Sequence, residues 1–177
     1  MSVYCTLFKN EHSGLTSKFR VNPKSCGRHG HFEEYLRFNA LSDYKGGRGV
    51  TFLLLDENDI TDEKSIIGFF SLRASSLTYD CDDHIEGRAA IEITELAVDE
   101  DYEHQGYGRH LVGLAIDIID DLRTEYIGIQ YVVLCSDPMS VSFYERLQFS
   151  KVSDYYIIPR EGWNVDCIPM FRRLPEL

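Results

Sequence analysis

Hydrophobic positions set out a mixed order of helices and strands along the chain. Phe32, Tyr35, Leu36, Asn39 and Ala40 recur at spacings of three and four before the breaker run "YKGGRG", which predicts a helix over 31–44. "VTFLLLD" then reads as a buried strand, "ENDITDEK" as an acidic turn and "SIIGFFSLRASSL" as a second strand, together a hairpin. A charged loop, "TYDCDDHIEGR", leads to a third strand, "AAIEITELAV". Leu111, Val112, Ala115, Ile118, Ile119 and Leu122 form the clearest helical stripe. After it come a strand "GIQYVVLCS", a short helix around "MSVSFYERL", and closing strands near "FSKVSDYYIIP" and "DCIPMFRRL". Residues 1–30 are polar, with Pro23, Gly27 and Gly30 as breakers and little periodicity. The pattern predicts hairpins and strand-helix-strand units around one sheet, with neither an internal repeat nor a linker.

Composition narrows this picture. At 177 residues and 44% hydrophobic the chain has material for one domain with a real core. No apolar run reaches the eighteen or so residues of a membrane span, and the first residues lack a signal peptide's basic flank and apolar centre, so a soluble, cytoplasmic protein is expected. The net charge of -11 disfavours nonspecific contact with polyphosphates and favours cationic partners. Five cysteines without a CxxC pair read most simply as reduced thiols. "CGRHGH" groups Cys26, His29 and His31, and "CDDH" groups Cys81 and His84, but neither has a zinc module's second half. No metal is expected.

The stretch "LAVDEDYEHQGYGRHLVGLAIDII" changes the picture most. A strand runs through a turn holding Gly106 and Gly108 straight into the best helix. The unpaired N–H groups of such a helix start favour an anion. Asp99, Glu100, Asp101 and Glu103 crowd the approach against Arg109 alone, so a phosphate here is held mainly by backbone amides. The dinucleotide pattern fails because Leu111 stands where its third glycine belongs, and the Walker pattern fails because no G-K-[ST] follows.

"ELAVDEDYEHQGYGRHLVGLA" resembles the acetyl-CoA segment of the GNAT superfamily of N-acetyltransferases, Q/R-x-x-G-x-G/A after a strand ending "LAV". "SDPMSVSFYERLQF" is similar to that family's N-x-x-A-x-x-[FY]-Y-x-x-x-[GN]-F, and "SIIGFFSL" to its central hairpin strand. The resemblance covers about residues 50–174. It implies a single α/β (α+β) domain over 1–177, a mixed, mostly antiparallel sheet with a splayed central strand, flanked by helices. It also implies acetyl-CoA as cosubstrate, bound by Leu96, Ala97 and Val98 through main-chain groups and by His104, Gln105, Gly106, Tyr107, Gly108 and Arg109 at the turn. Asp137 and Ser140 stand at the later motif's Asn and Ala. Glu103 departs from the Q/R position, and His104 and Gln105 are the side chains left to compensate.

The implied reaction is attack of a neutral amine on the thioester carbonyl, with the CoA thiol leaving. Tyr144 matches the phenol that serves the leaving thiolate as acid. Glu92, and after it Glu95, are the candidate bases on the delivering strand. Strand alternation puts these two on opposite faces unless a bulge intervenes. A lysine-like amine near pKa 10.4 costs about 4.6 kcal/mol to neutralise at pH 7, whereas an α-amine near 7.8 costs only about 1 kcal/mol. The acidic balance points to a cationic small molecule or protein amine as acceptor. Against it, "CGRHGHFEEYLRFNALSDYKGGRGVTFLLLDE" is similar to the opening of the family's toxins, which acetylate aminoacyl-tRNA and pair with a small antitoxin. Local basic residues for that alternative are Arg20, Lys24, Arg28, Lys45, Arg48, Arg172 and Arg173. A degenerate CoA-binding module is the third reading, and the resemblance carries the family's frequent homodimer with it.

Overall fold

The computed structural model describes residues 2–58, 63–152, 156–157 and 167–176. Its strands are β1 (Ser2–Leu7), β2 (Val50–Asn58), β3 (Glu63–Cys81), β4 (His84–Val98), β5 (Tyr131–Ser136), β6 (Ser150–Lys151), β7 (Tyr156–Ile157) and β8 (Ile168–Arg173). They form one eight-stranded sheet in the order β1-β2-β3-β4-β5-β8-β6, with β7 on β3. The β4–β5 ladder is parallel, whereas β1–β2, β2–β3, β3–β7, β5–β8 and β6–β8 are antiparallel. The backbone groups into two compact units, residues 1–73 with 95–115, and residues 74–94 with 116–177.

In the first unit the expected helix is present and longer. It comprises α1 (His29–Glu34), a π-helical turn at Tyr35–Asn39, and α2 (Ala40–Lys45). Phe32, Tyr35, Leu36 and Ala40 are buried as the spacing predicts, but Asn39 is exposed, because the wider π turn rotates the stripe away from it. These side chains pack with Phe8, Phe19, Leu53, Leu55, Ile66 and Phe69 into one core. Tyr35 stacks on Phe69 at 6.2 Å between ring centres.

The polar N-terminal stretch hides β1, which pairs with β2 from Ser2↔Glu57 to Leu7↔Phe52. Its signal is weak because its apolar positions do not alternate cleanly and none of residues 3–7 is fully buried. In the β2–β3 ladder the register shifts between Leu54 and Leu55, leaving Ile67 as an extra residue. The Ile67 carbonyl accepts the Asp99 N–H at 2.8 Å, just past the end of β4. Gly68 beside it is forced by space: a Cβ there would lie 2.7 Å from the Ala97 carbonyl oxygen and 2.8 Å from Leu111 Cδ1.

In the second unit, the charged loop expected over 78–88 is not a loop. β3 runs to Cys81 and β4 starts at His84, joined by the turn Asp82–Asp83. Charged residues occupy exposed strand positions there, so composition alone misreads them. Leu77, Ala90 and Val133 are buried together, with Tyr131, Val152 and Phe171 against them.

Helix α3 (Tyr107–Glu125) buries Leu111, Val112, Ala115 and Ile119 as its stripe predicts, while Leu122 at its end is partly exposed. Helix α4 (Val141–Arg146) follows a 3-10 turn at Pro138–Ser140. The thiols are not all reduced: Cys135 is bonded to Cys167, whereas Cys5, Cys26 and Cys81 remain thiols. The β5–β8 pairing sets Cys135 opposite Pro169, two residues from Cys167, a proximity that a separation of 32 residues conceals. Residues 59–62 of the acidic turn, 153–155 and 158–159 of the first closing segment, and Asp166 lie outside the described residues, whereas the second closing strand, expected over 166–174, is β8. Among the described residues no helix is long and apolar enough to cross a membrane.

Candidate functional site

The first unit contains the strand end, the glycine turn and the start of α3. Asp99, buried at the end of β4, caps a 3-10 turn at Glu100–Tyr102 by accepting the Asp101 N–H at 3.1 Å. It also accepts the Arg20 N–H at 2.9 Å. Burial raises its pKa above the usual carboxylate value, against the lowering effect of these two bonds. Asp99 is thus a fixture of the turn rather than an exposed repulsive charge.

Glu103, the departure from the family pattern, is held aside. Its Oε2 accepts from Asn22 Nδ2 at 2.9 Å and Ser25 Oγ at 3.1 Å. Gln105 Nε2 donates to the Asp101 carbonyl at 3.2 Å, and His104 is exposed. The chain turns through positive φ at His104 (60°) and Gly106 (88°). The first helical bond runs from the His110 N–H to the Gly106 carbonyl at 3.1 Å, so the N–H groups of Tyr107, Gly108 and Arg109 precede the α3 ladder. Tyr107 meets Tyr102 edge to face at 5.9 Å. This backbone arrangement suits an anion, for the dipole reason given by the sequence.

One carboxylate of the delivering strand has a partner that sequence reasoning missed. Glu95 Oε1 lies 2.9 Å from His31 Nε2, the first on β4 immediately before Leu96, the second on α1. The Glu95 hydrogen bond raises the His31 pKa above its ordinary value, outweighing partial burial. "CGRHGH" drew attention to His31 as a metal ligand, yet a partner 64 residues away leaves no local trace. Among the described residues Cys26, His29 and His31 do not form a metal-ligand cluster.

In the second unit, Glu92 is buried on β4 opposite Val133 of β5. Ala90, Glu92, Ile93 and Ala97 are the buried residues of β4. The parallel ladder ends at Ile93↔Leu134, although β4 continues to Val98 and β5 to Ser136.

The later motif is built by caps. Asp137 Oδ1 accepts the Met139 N–H at 2.9 Å, so the family's Asn position serves as the cap of the 3-10 turn. Ser140 opens α4, and Tyr144 is buried, edge to face with Phe143 at 4.9 Å and Phe149 at 5.7 Å. The Tyr144 carbonyl accepts the N–H groups of Leu147 and Phe149 while Gln148 takes φ 67°, which explains why the family writes Gly or Asn there.

Comparison with solved structures gives the same architecture. The chain has a TM-score of 0.76 to a tyrosine-to-phenylalanine mutant of the toxin AtaT, at 13% identity, covering 97% of this chain and 89% of that one. It has a TM-score of 0.73 to a bacterial toxin at 17% identity (97% and 90% covered), and 0.71 to AtaTR bound with AcCoA at 15% (97% and 92%). At these identities the likeness is one of fold. No curated protein matches the chain by sequence. The model of the acetyltransferase (GNAT) family matches residues 17–149, and the chain belongs to that family.

Proposed function

We propose that this N-acetyltransferase moves an acetyl group from acetyl-CoA to an α-amine, of the aminoacyl-tRNA class, with His31 and Glu95 as the proton-accepting pair. The observation that carries this is the 2.9 Å contact between them. Glu95 is committed to His31 rather than held ready as a lone base. The Glu95 bond raises the imidazole pKa above its ordinary value, which makes it a stronger base. An α-amine near 7.7–8.0 asks less of such a base than a lysine amine near 10.4. The N-terminal likeness to the toxin subgroup and the fold shared with AtaT, one of whose structures is complexed with acetyl-methionyl-tRNAfMet, support the same acceptor.

In this reading the N–H groups of Leu96 and Val98 hold the acetyl carbonyl and the pantetheine arm, Ala97 spaces them, and the amides of Gly106–Arg109 hold the diphosphate. Glu103, tied to Asn22 and Ser25, takes no part in phosphate contact. The amine attacks the thioester carbon, His31 takes the amine's proton, and Tyr144 donates to the leaving sulfur. Glu92 is the alternative base, acting through water.

A cationic amine is the second reading, favoured by the net charge of -11. Labelled acetyl transfer to charged tRNA, run beside a polyamine and lysine-peptide panel, separates the two. Transfer to the panel and none to tRNA would reverse the assignment. Tyr144→Phe should lower kcat by about 100-fold or more while acetyl-CoA still binds. An unchanged kcat would remove Tyr144 from the reaction.

A further inference from the structure

At the far end of the β3–β4 hairpin, three donors of different kinds converge. Cys81 precedes the turn Asp82–Asp83, His84 follows it, and Glu86 lies two positions on, on the same face of β4 as His84. The Sγ, imidazole nitrogen and carboxylate oxygen of these residues all lie within 4.8 Å of one another. Cys81 Sγ is 4.0 Å from Glu86 Oε2.

The carboxylate is fixed from behind. Arg88 Nη2 holds Glu86 Oε1 at 2.7 Å, leaving Oε2 turned to the thiol. Tyr79 accepts from Arg88 Nε at 2.9 Å and Nη2 at 2.6 Å, and its own hydroxyl hydrogen bonds Glu86. Partners of this kind orient a metal-binding carboxylate. The exposed Asp80, Asp82 and Asp83 add negative potential around the tip.

We infer that Cys81, His84 and Glu86 form a site for a zinc-class divalent cation, independent of the acetyl-transfer reading. Thiolate and imidazole donors select zinc over calcium or magnesium, which take oxygen ligands. Bond lengths of about 2.0 to 2.3 Å to a tetrahedral ion set ligand atoms about 3.4 to 3.6 Å apart. The present spread closes to that by a small turn of the half-buried Cys81 side chain, which shortens its 4.0 Å distance to Glu86, and by rotation of the exposed His84 side chain, and the fourth position falls to water. The sequence expectation of no metal counted only Cys81 and His84 in "CDDH". Glu86 becomes the third ligand because the two-residue turn folds the strand back.

The test is titration of the full-length, chelator-treated protein with Co2+, followed by displacement with Zn2+. The expected result is one Co2+ per chain with a thiolate-to-cobalt charge-transfer band that Zn2+ abolishes. Cys81→Ser should remove the band, and His84→Ala and Glu86→Gln should each weaken binding at least about 10-fold. Acidification should weaken it too, because thiol and imidazole must give up protons. In parallel, Zn2+ should slow alkylation of Cys81 at least about 10-fold without slowing that of Cys5, a readout that needs no variant. Loss of the band in Cys26→Ser but not in Cys81→Ser, or unchanged alkylation of Cys81, overturns the site.

Discussion

Replacing Gly68 by alanine tests whether the close approach of β3 to the end of β4 holds the delivering strand in place. The new methyl would sit 2.7 Å from the Ala97 carbonyl oxygen, 2.8 Å from Leu111 Cδ1 and 3.3 Å from Val98 Cα. Ordinary contact needs about 3.5 Å, so something must yield by close to an ångström. Leu111 can change rotamer, but Ala97 and Val98 are backbone and move only with the strand. Forcing a methyl into such a packed site costs about 1–3 kcal/mol, and a chain of this size loses about 2–4 °C of Tm per kcal/mol. The expected fall is therefore about 2–12 °C by circular dichroism, together with weaker acetyl-CoA binding by calorimetry, since Leu96 and Val98 shift with Ala97. Gly113 supplies the opposite control. It is exposed in α3 with nothing within 4 Å of an added Cβ, so Gly113→Ala should raise stability by about 0.5–1 kcal/mol. A Gly68→Ala protein that melts with the wild type and binds acetyl-CoA as well would refute the reasoning.

Other expectations follow from single contacts. Gln148→Gly should stabilise by about 1 kcal/mol in thermal unfolding, because φ 67° strains a residue with a Cβ; a destabilised variant would mean that the Gln148 side chain matters more than its backbone. His31 has a raised folded pKa, so its pairing with Glu95 stabilises fully below the unfolded value of 6.5 and fades as pH climbs through the folded one. Denaturant midpoints of His31→Asn should thus fall furthest behind wild type below about pH 6.5 and converge as pH climbs through the folded value, and a constant gap argues against the ion pair. The same variant should lose acetyl transfer most at neutral pH and regain it in alkali, where the acceptor amine is already neutral. Cys135→Ser opens a loop spanning 32 residues, which should cost about 3–4 kcal/mol on chain entropy, and reductant should lower the wild-type Tm similarly. A Tm insensitive to reductant would show that the bond does not form in solution.

Legibility in the sequence followed physical range. The α1–α2 run, β2, the start of β3 and the stripe of α3 all declared themselves, because a helix or strand face repeats its apolar positions every 3.6 or 2 residues. The glycine turn was legible for the same local reason: Gly106 needs positive φ, and the amides ahead of His110 are unpaired by the geometry of any helix start. β1 and the β3–β4 hairpin tip were not legible. Residues 3–7 of β1 are at most half-buried and the hairpin tip is charged, so pairing with a neighbour, rather than burial, fixes them.

The sequence by itself determined the family, the glycine turn ahead of α3 and most of the order of elements, all properties of chain segments a few residues long. Only the tertiary structure decided which side chains answer one another. It set His31 on Glu95, drew Glu103 away to Asn22 and Ser25, joined Cys135 to Cys167, and gathered Glu86 to Cys81 and His84. Hydrogen bonds and ion pairs act over a few ångströms of space, and the folds of the chain that bring such groups within reach leave no periodic mark on the segments they connect.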